Sequence, residues 1–158
     1  DKTKSVVFRT RKKLKNLRAI DIRRGGIKIK QHYTVEYLGC ILCNTLSDIS
    51  MCNKVIGKIG NPLKSLYMKQ SFFSSYLRRM LCNALIQPHF DYACSAWYPN
   101  LNKRFKKKIQ VMQNKCIRFC LSLPNRYHIS TDEFKEINWL PTRERFEQCV
   151  CVLVRLNF

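Results

Sequence analysis

Residues 88–100, PHFDYACSAWYPN, constrain this chain more than any other stretch. They hold two prolines and four aromatic side chains but no Lys or Arg. On either side the chain is basic and patterned as a helix, over residues 64–87 and 101–123. Proline removes a backbone donor and clashes with the preceding turn, so the stretch is read as a break between those helices. Phe90, Tyr92, Trp97 and Tyr98 are expected to fill the angle between them. The basic faces then point to solvent or to a polyanion.

The pattern on the C-terminal side is the strongest in the sequence. Leu101, Phe105, Ile109, Met112, Cys116, Phe119 and Leu123 recur at helical spacing and make one apolar stripe. Lys103, Lys107, Lys108, Lys115 and Arg118 fall away from that stripe, and Pro124 stops the helix. Ser130 and Glu133 have the spacing of a capping box for a short helix through Ile137. Pro141-Thr142 opens a last helix with Phe146, Val150 and Leu153 in register. Upstream, Phe73, Leu77, Met80, Leu81, Ala84 and Leu85 mark one face of a helix that ends before Pro88. Ile49, Cys52, Val55, Ile56 and Ile59 mark another, with Asp48 placed to cap it. Gly60-Asn61-Pro62 reads as a stop and restart within this region.

The first forty residues have a different period. Ser5-Val6-Val7-Phe8 is a short β-like run, and Arg23-Arg24-Gly25-Gly26 is a turn signal. Ile27-Lys28-Ile29-Lys30 alternates as a half-exposed strand does. Residues 33–42 are rich in β-branched and aromatic side chains. The expectation is an α+β fold: a short antiparallel β-ribbon over residues 5–42, then a mainly helical bundle. Domains are expected at 1–44 and 45–158.

Charge limits the function classes. Thirty Lys and Arg face ten Asp and Glu, a formal net charge of +20 over 158 residues. Such an excess opposes compaction and favours binding to a polyanion. Residues 101–126 carry eight basic and no acidic side chains, whereas residues 131–158 carry four basic and five acidic ones. This unevenness suggests a footprint rather than a uniformly solvated surface. Tyr33, Tyr37, Tyr67 and Tyr76 are candidates to stack on bases or sugars. The longest apolar run, residues 149–154, is too short to span a bilayer, so no membrane partner is expected.

Nine cysteines without a signal-peptide pattern point to reduced thiols in an intracellular protein, nuclear or cytoplasmic. Cys40-x-x-Cys43 near Cys52 suggests zinc, but no second ligand pair follows, and buried free thiols are the better reading. His32, His89 and His128 are isolated. No phosphate loop, zinc-protease motif or framed nucleophile is present. Two-metal phosphoryl transfer needs clustered carboxylates, and here only Asp132 and Glu133 are adjacent. No catalytic residue and no metal site are assigned.

Five motifs nevertheless fall in a familiar order. They are Lys2-Thr3-Lys4 leading into Val6-Val7-Phe8, and Tyr37-Leu38-Gly39-Cys40 at the end of a hairpin. Pro88-His89-Phe90-Asp91-Tyr92 with Trp97 follows, then Gln113-Asn114-Lys115-Cys116-Ile117-Arg118, then Trp139-Leu140-Pro141 with Arg143. The series resembles the C-terminal third of reverse transcriptases from non-long-terminal-repeat retrotransposons of the jockey-like, LINE-type group.

The resemblance implies the palm edge and thumb of a right-hand polymerase. Lys2 or Lys4 would lie near the incoming nucleotide, and Tyr37, Leu38 and Gly39 would form the primer-grip turn. The helices from about Asp48 onward would be thumb and connection. The partner would be an RNA–DNA or DNA duplex template–primer, together with an upstream polymerase region. The paired aspartates that hold Mg2+ in the complete polymerase would precede Lys2-Thr3, so this chain alone is expected to be inactive and to need no cofactor. Asp1 is not Met, which fits a fragment. Lys103, Lys107, Lys108, Lys115 and Arg118 are the residues expected to touch phosphate. Two alternatives remain: a free-standing basic nucleic-acid-binding protein derived from a mobile element, and a gene remnant without function.

Overall fold

A computed structural model describes residues 3–9 and 20–156. The fold is α+β and divides into two compact units, 1–51 and 52–158. The division falls inside the first turn of a helix.

The first unit holds two antiparallel hairpins in separate two-stranded sheets. β1 (Arg23–Arg24) pairs with β2 (Ile27–Lys28), and β3 (Thr34–Tyr37) pairs with β4 (Cys40–Cys43). Both tips are two-residue turns with positive φ at each central position, the geometry that matches the strands' twist. Gly25 and Gly26 supply it in the first, at φ 56° and 79°. In the second it falls to Leu38 and Gly39, at φ 44° and 76°. Ser5-Val6-Val7-Phe8 is not a strand of either sheet. It is held by one parallel bridge, Ser5 to Gln31, and by Arg9 N donating to Asn44 O at 2.9 Å. The expected single ribbon over residues 5–42 is thus two short hairpins plus a flanking segment.

Helices follow. α1 (Ile49–Met68) begins directly after Asp48 and runs without interruption through Gly60, Asn61 and Pro62. The expected stop and restart is absent. A proline in a helix interior costs about 3 kcal/mol. Against that, Cys52, Val55, Ile59, Leu63 and Leu66 are all buried along one stripe that continues across the break signals. Each large apolar side chain buried contributes roughly 1.5–3 kcal/mol, so packing outweighs the local signal.

After a 3-10 turn at Gln70–Phe72 comes α2 (Ser75–Leu85), capped by the Ser74 side chain, which accepts from Leu77 N at 3.3 Å. Its buried face is not the one expected. Cys82 is buried and Ile86 beyond the helix is too, whereas Met80 and Leu85 are about half exposed, at 50% and 47%. Arg78 is half-buried. Its guanidinium donates to Gln70 O at 2.8 Å and to the Ser122 hydroxyl, and lies over the Phe119 ring.

The stretch 88–100, expected as a break between helices, holds most of two short helices, α3 (Gln87–Asp91) and α4 (Cys94–Trp97). Pro88 sits in the first turn of α3, where its missing N–H costs nothing. Phe90, Trp97 and Tyr98 are buried as expected, but Tyr92 is 53% exposed and contributes its carbonyl, which accepts from Trp97 Nε1 at 3.0 Å. The aromatic cluster packs on the last helix: Trp97 meets Phe146 edge-on at 5.7 Å, and Tyr98 meets it at 3.8 Å.

α5 (Lys103–Leu121) is capped by Asn102 and ends at Ser122 in the left-handed region. It packs against α2, and against the two elements that follow, α6 (Thr131–Glu136) and α7 (Thr142–Leu156). α6 carries the full capping box expected of Ser130 and Glu133. On α7 only Phe146 of the expected apolar register is buried, and Val150 and Leu153 are exposed. No described helix is long and apolar enough to cross a membrane.

Candidate nucleic-acid interface

The two faces of α5 have opposite characters. Ile109, Gln113, Cys116, Ile117, Phe119 and Cys120 are buried. Lys103, Arg104, Lys107, Lys108 and Lys115 are exposed on the other side, around Val111. The helix contains no Asp or Glu, and among the described residues none of these cations joins an ion pair. At 1.5 Å per residue the face from Lys103 to Lys115 extends about 18 Å. Duplex phosphates bring one negative charge per roughly 1.7 Å of axis, so a strip of this length faces many charges at once.

Four of the five residues expected to touch phosphate are gathered here: Lys103, Lys107, Lys108 and Lys115. Lys108 Nζ also sits 4.9 Å from the Phe105 ring centroid. Arg118 is different. It is half-buried, and its Nε donates to Tyr127 O at 2.9 Å, which ties the loop after α5 to the helix. Arg104 went unassigned, although its spacing to Lys103, Lys107 and Lys108 already puts it on the same face. Lys106 is excluded from the strip, because its ammonium donates to Pro99 O at 3.1 Å and lies over the Tyr98 ring.

The tyrosines divide. Tyr76 is 71% exposed. Tyr67 is committed to the core: its hydroxyl donates to Lys115 O at 3.0 Å, and its ring meets Phe119 edge-on at 5.1 Å. Burial, above all, pushes its hydroxyl up to about 12. Tyr67 is therefore not a stacking platform.

In the first unit, Tyr37, Leu38 and Gly39 form the tip of the β3–β4 hairpin. Tyr37 and Leu38 are 64% and 73% exposed, as is the ring of Tyr33 beside the hairpin at 81%. Lys4 is exposed next to the Ser5 bridge, and Lys2 lies outside the described residues. Cys40 and Cys43 are half-buried on β4, and Cys43 Sγ shares a 3.9 Å hydrogen bond with Ser50 Oγ. Among the described residues no three His, Cys, Asp or Glu side chains converge as metal ligands.

No known protein family matches the chain, and neither a curated protein nor a solved structure is significantly similar to it.

Proposed function

We propose that the chain is the palm edge and thumb of a non-long-terminal-repeat reverse transcriptase, holding the template–primer duplex without polymerase chemistry of its own. One observation carries the reading: an exposed helix face of Lys103, Arg104, Lys107, Lys108 and Lys115 with no carboxylate on the same helix. Such a face attracts phosphate and reads no sequence, which suits a polymerase that copies any template. An RNA–DNA hybrid would be gripped through its phosphates and groove shape.

The test is salt dependence. Binding of an RNA–DNA hybrid is followed by fluorescence anisotropy from about 50 to 200 mM salt. Replacing Lys103, Lys107 and Lys115 by Gln is expected to reduce the slope of log K against log salt by about 2–3. An unchanged slope would remove α5 from the interface and the reading with it.

A further inference from the structure

A cleft of about 340 Å3 in the second unit is lined by α2, α3, the connection from α6 to α7, and α7. Arg79 and Asn83 stand one turn apart on one face of α2, and Gln87 follows four residues on, where α3 begins. Two sets of bonds fix the walls. Trp139 Nε1 donates to Asn83 Oδ1 at 2.9 Å. Arg145 donates through Nε and Nη2 to the two carboxylate oxygens of Asp91, at 2.5 and 2.6 Å.

These bonds leave a set of unused donors. An indole N–H only donates, so Trp139 takes the oxygen of the Asn83 amide and leaves Nδ2 without a partner among the described residues. Gln87 is 5% exposed, and its Oε1 is buried and unbonded among the described residues. Its Nε2 makes no hydrogen bond either but is not enclosed in the same way, so it is the end of the amide that the cleft meets. Native chains rarely bury an unanswered carbonyl, and those that persist sit where the group serves something besides the fold. Arg79 is exposed, and its guanidinium joins no ion pair or hydrogen bond among the described residues. Glu136 lines the adjoining cleft with Arg79 but forms no ion pair with it. Asp91 is the one carboxylate of the cleft, and Arg145 occupies both its oxygens, so Arg79 leaves the site with a net positive charge.

We propose that this cleft binds a phosphate monoester. The Arg79 guanidinium offers a fork of N–H groups, the geometry that phosphate accepts in pairs. Asn83 Nδ2 and Gln87 Nε2 add neutral donors further along the same side. Donors spread over two turns suit a tetrahedral group with three free oxygens, whereas a carboxylate has two, in one plane. Such a group is carried by small phosphorylated molecules and by the phosphorylated end of a nucleic-acid strand. The inference does not rest on the α5 face.

The experiment titrates the 15N-labelled full chain and reads the indole N–H signals of its two tryptophans, Trp97 and Trp139. The probes are inorganic phosphate, acetate, a 5′-phosphorylated tetranucleotide and its 5′-hydroxyl counterpart. Inorganic phosphate should shift the Trp139 signal to saturation and leave that of Trp97 in place. Arg79→Gln should weaken the phosphate affinity by about tenfold or more. Asn83→Asp keeps the oxygen that Trp139 uses and turns the free donor into a negative charge, so it should weaken binding at least as much. Both positions are exposed, and the remaining amide spectrum reports whether each variant stays folded. Replacing Lys103, Lys107 and Lys115 by Gln should leave the phosphate affinity within about twofold, so failure here and failure of the α5 interface are separate results. A Trp139 shift with the phosphorylated tetranucleotide but not its 5′-hydroxyl counterpart assigns the site to strand ends, and a shift with inorganic phosphate but neither tetranucleotide assigns it to small phosphates. A Trp139 signal that phosphate does not move, an equal response to acetate, or an affinity that neither variant lowers would overturn the proposal.

Discussion

Gln113 is wholly buried on a helix face otherwise made of Ile, Cys and Phe, and both ends of its amide are hydrogen-bonded. Its Nε2 donates to Leu140 O at 2.8 Å, and its Oε1 accepts from Gln110 Nε2 at 3.0 Å. Gln110 Oε1 in turn accepts from Thr142 N and Thr142 Oγ1, at 3.0 and 2.7 Å. Gln110 thereby caps the first residue of α7 from another helix. Replacing Gln113 by Leu takes its donor from the Leu140 carbonyl, while Gln110 Nε2 keeps Asn114 Oδ1 at 2.8 Å. A loss of about 2 kcal/mol is expected, read as a lower urea midpoint with an unchanged m-value. The apolar stripe of α5 could be read from spacing, but Gln113 could not. Its bond to Leu140 O reaches 27 positions along the chain, and no local pattern announces it. Tyr92 fails for the converse reason. An aromatic in an aromatic-rich stretch is read as core, yet Tyr92 is 53% exposed.

At the scale of elements, α6 shows what a local rule can deliver. The Ser130–Glu133 box was legible because both partners sit within one turn. Glu133 accepts from Ser130 N at 2.6 Å and from Ser130 Oγ at 2.7 Å, and these bonds hold its carboxyl down at about 2. A carboxylate depressed in the folded chain stabilises above its unfolded pKa, near 4.3, and loses that contribution as pH falls towards 2. Fraying of α6 is therefore expected in that window. NMR titration should show Ser130→Ala moving the Glu133 midpoint upward. α1 shows where local rules fail, since Gly60-Asn61-Pro62 is punctuation only until a continuous buried stripe overrides it. Gly60 has ordinary helical backbone, and a Cβ there would meet Met112 at a comfortable 3.6 Å. A Cβ at Gly57 would meet nothing within 4 Å. Alanine at both positions should raise stability by about 1–2 kcal/mol in total. A helix that ended at Gly60 in the left-handed region would instead be destabilised by the same change.

For the whole molecule, the α+β division was legible because the hydrophobic period changes from two to about 3.6 near residue 45. The split of the ribbon into two hairpins was not, since short strands carry too few residues to declare their partners. Charge acts at this scale too. A formal net charge of +20 repels itself when the chain is compact. Screening should therefore raise the melting temperature of the free chain between about 50 and 500 mM salt, while the same change weakens its hold on duplex. Opposite signs from one titration would separate self-repulsion from phosphate contact.

The outer half of α7 has a consequence of its own. Val150, Val152, Leu153 and Val154 are 39–51% exposed, in a run without charge or proline. β-branched residues give up little by leaving a helix, and a short uncharged run of them has the composition of a steric zipper. If the end of α7 unwinds, its strands from neighbouring copies can stack, so fibril nucleation in concentrated stocks would begin there. Val152→Lys should then lengthen the lag before thioflavin fluorescence rises.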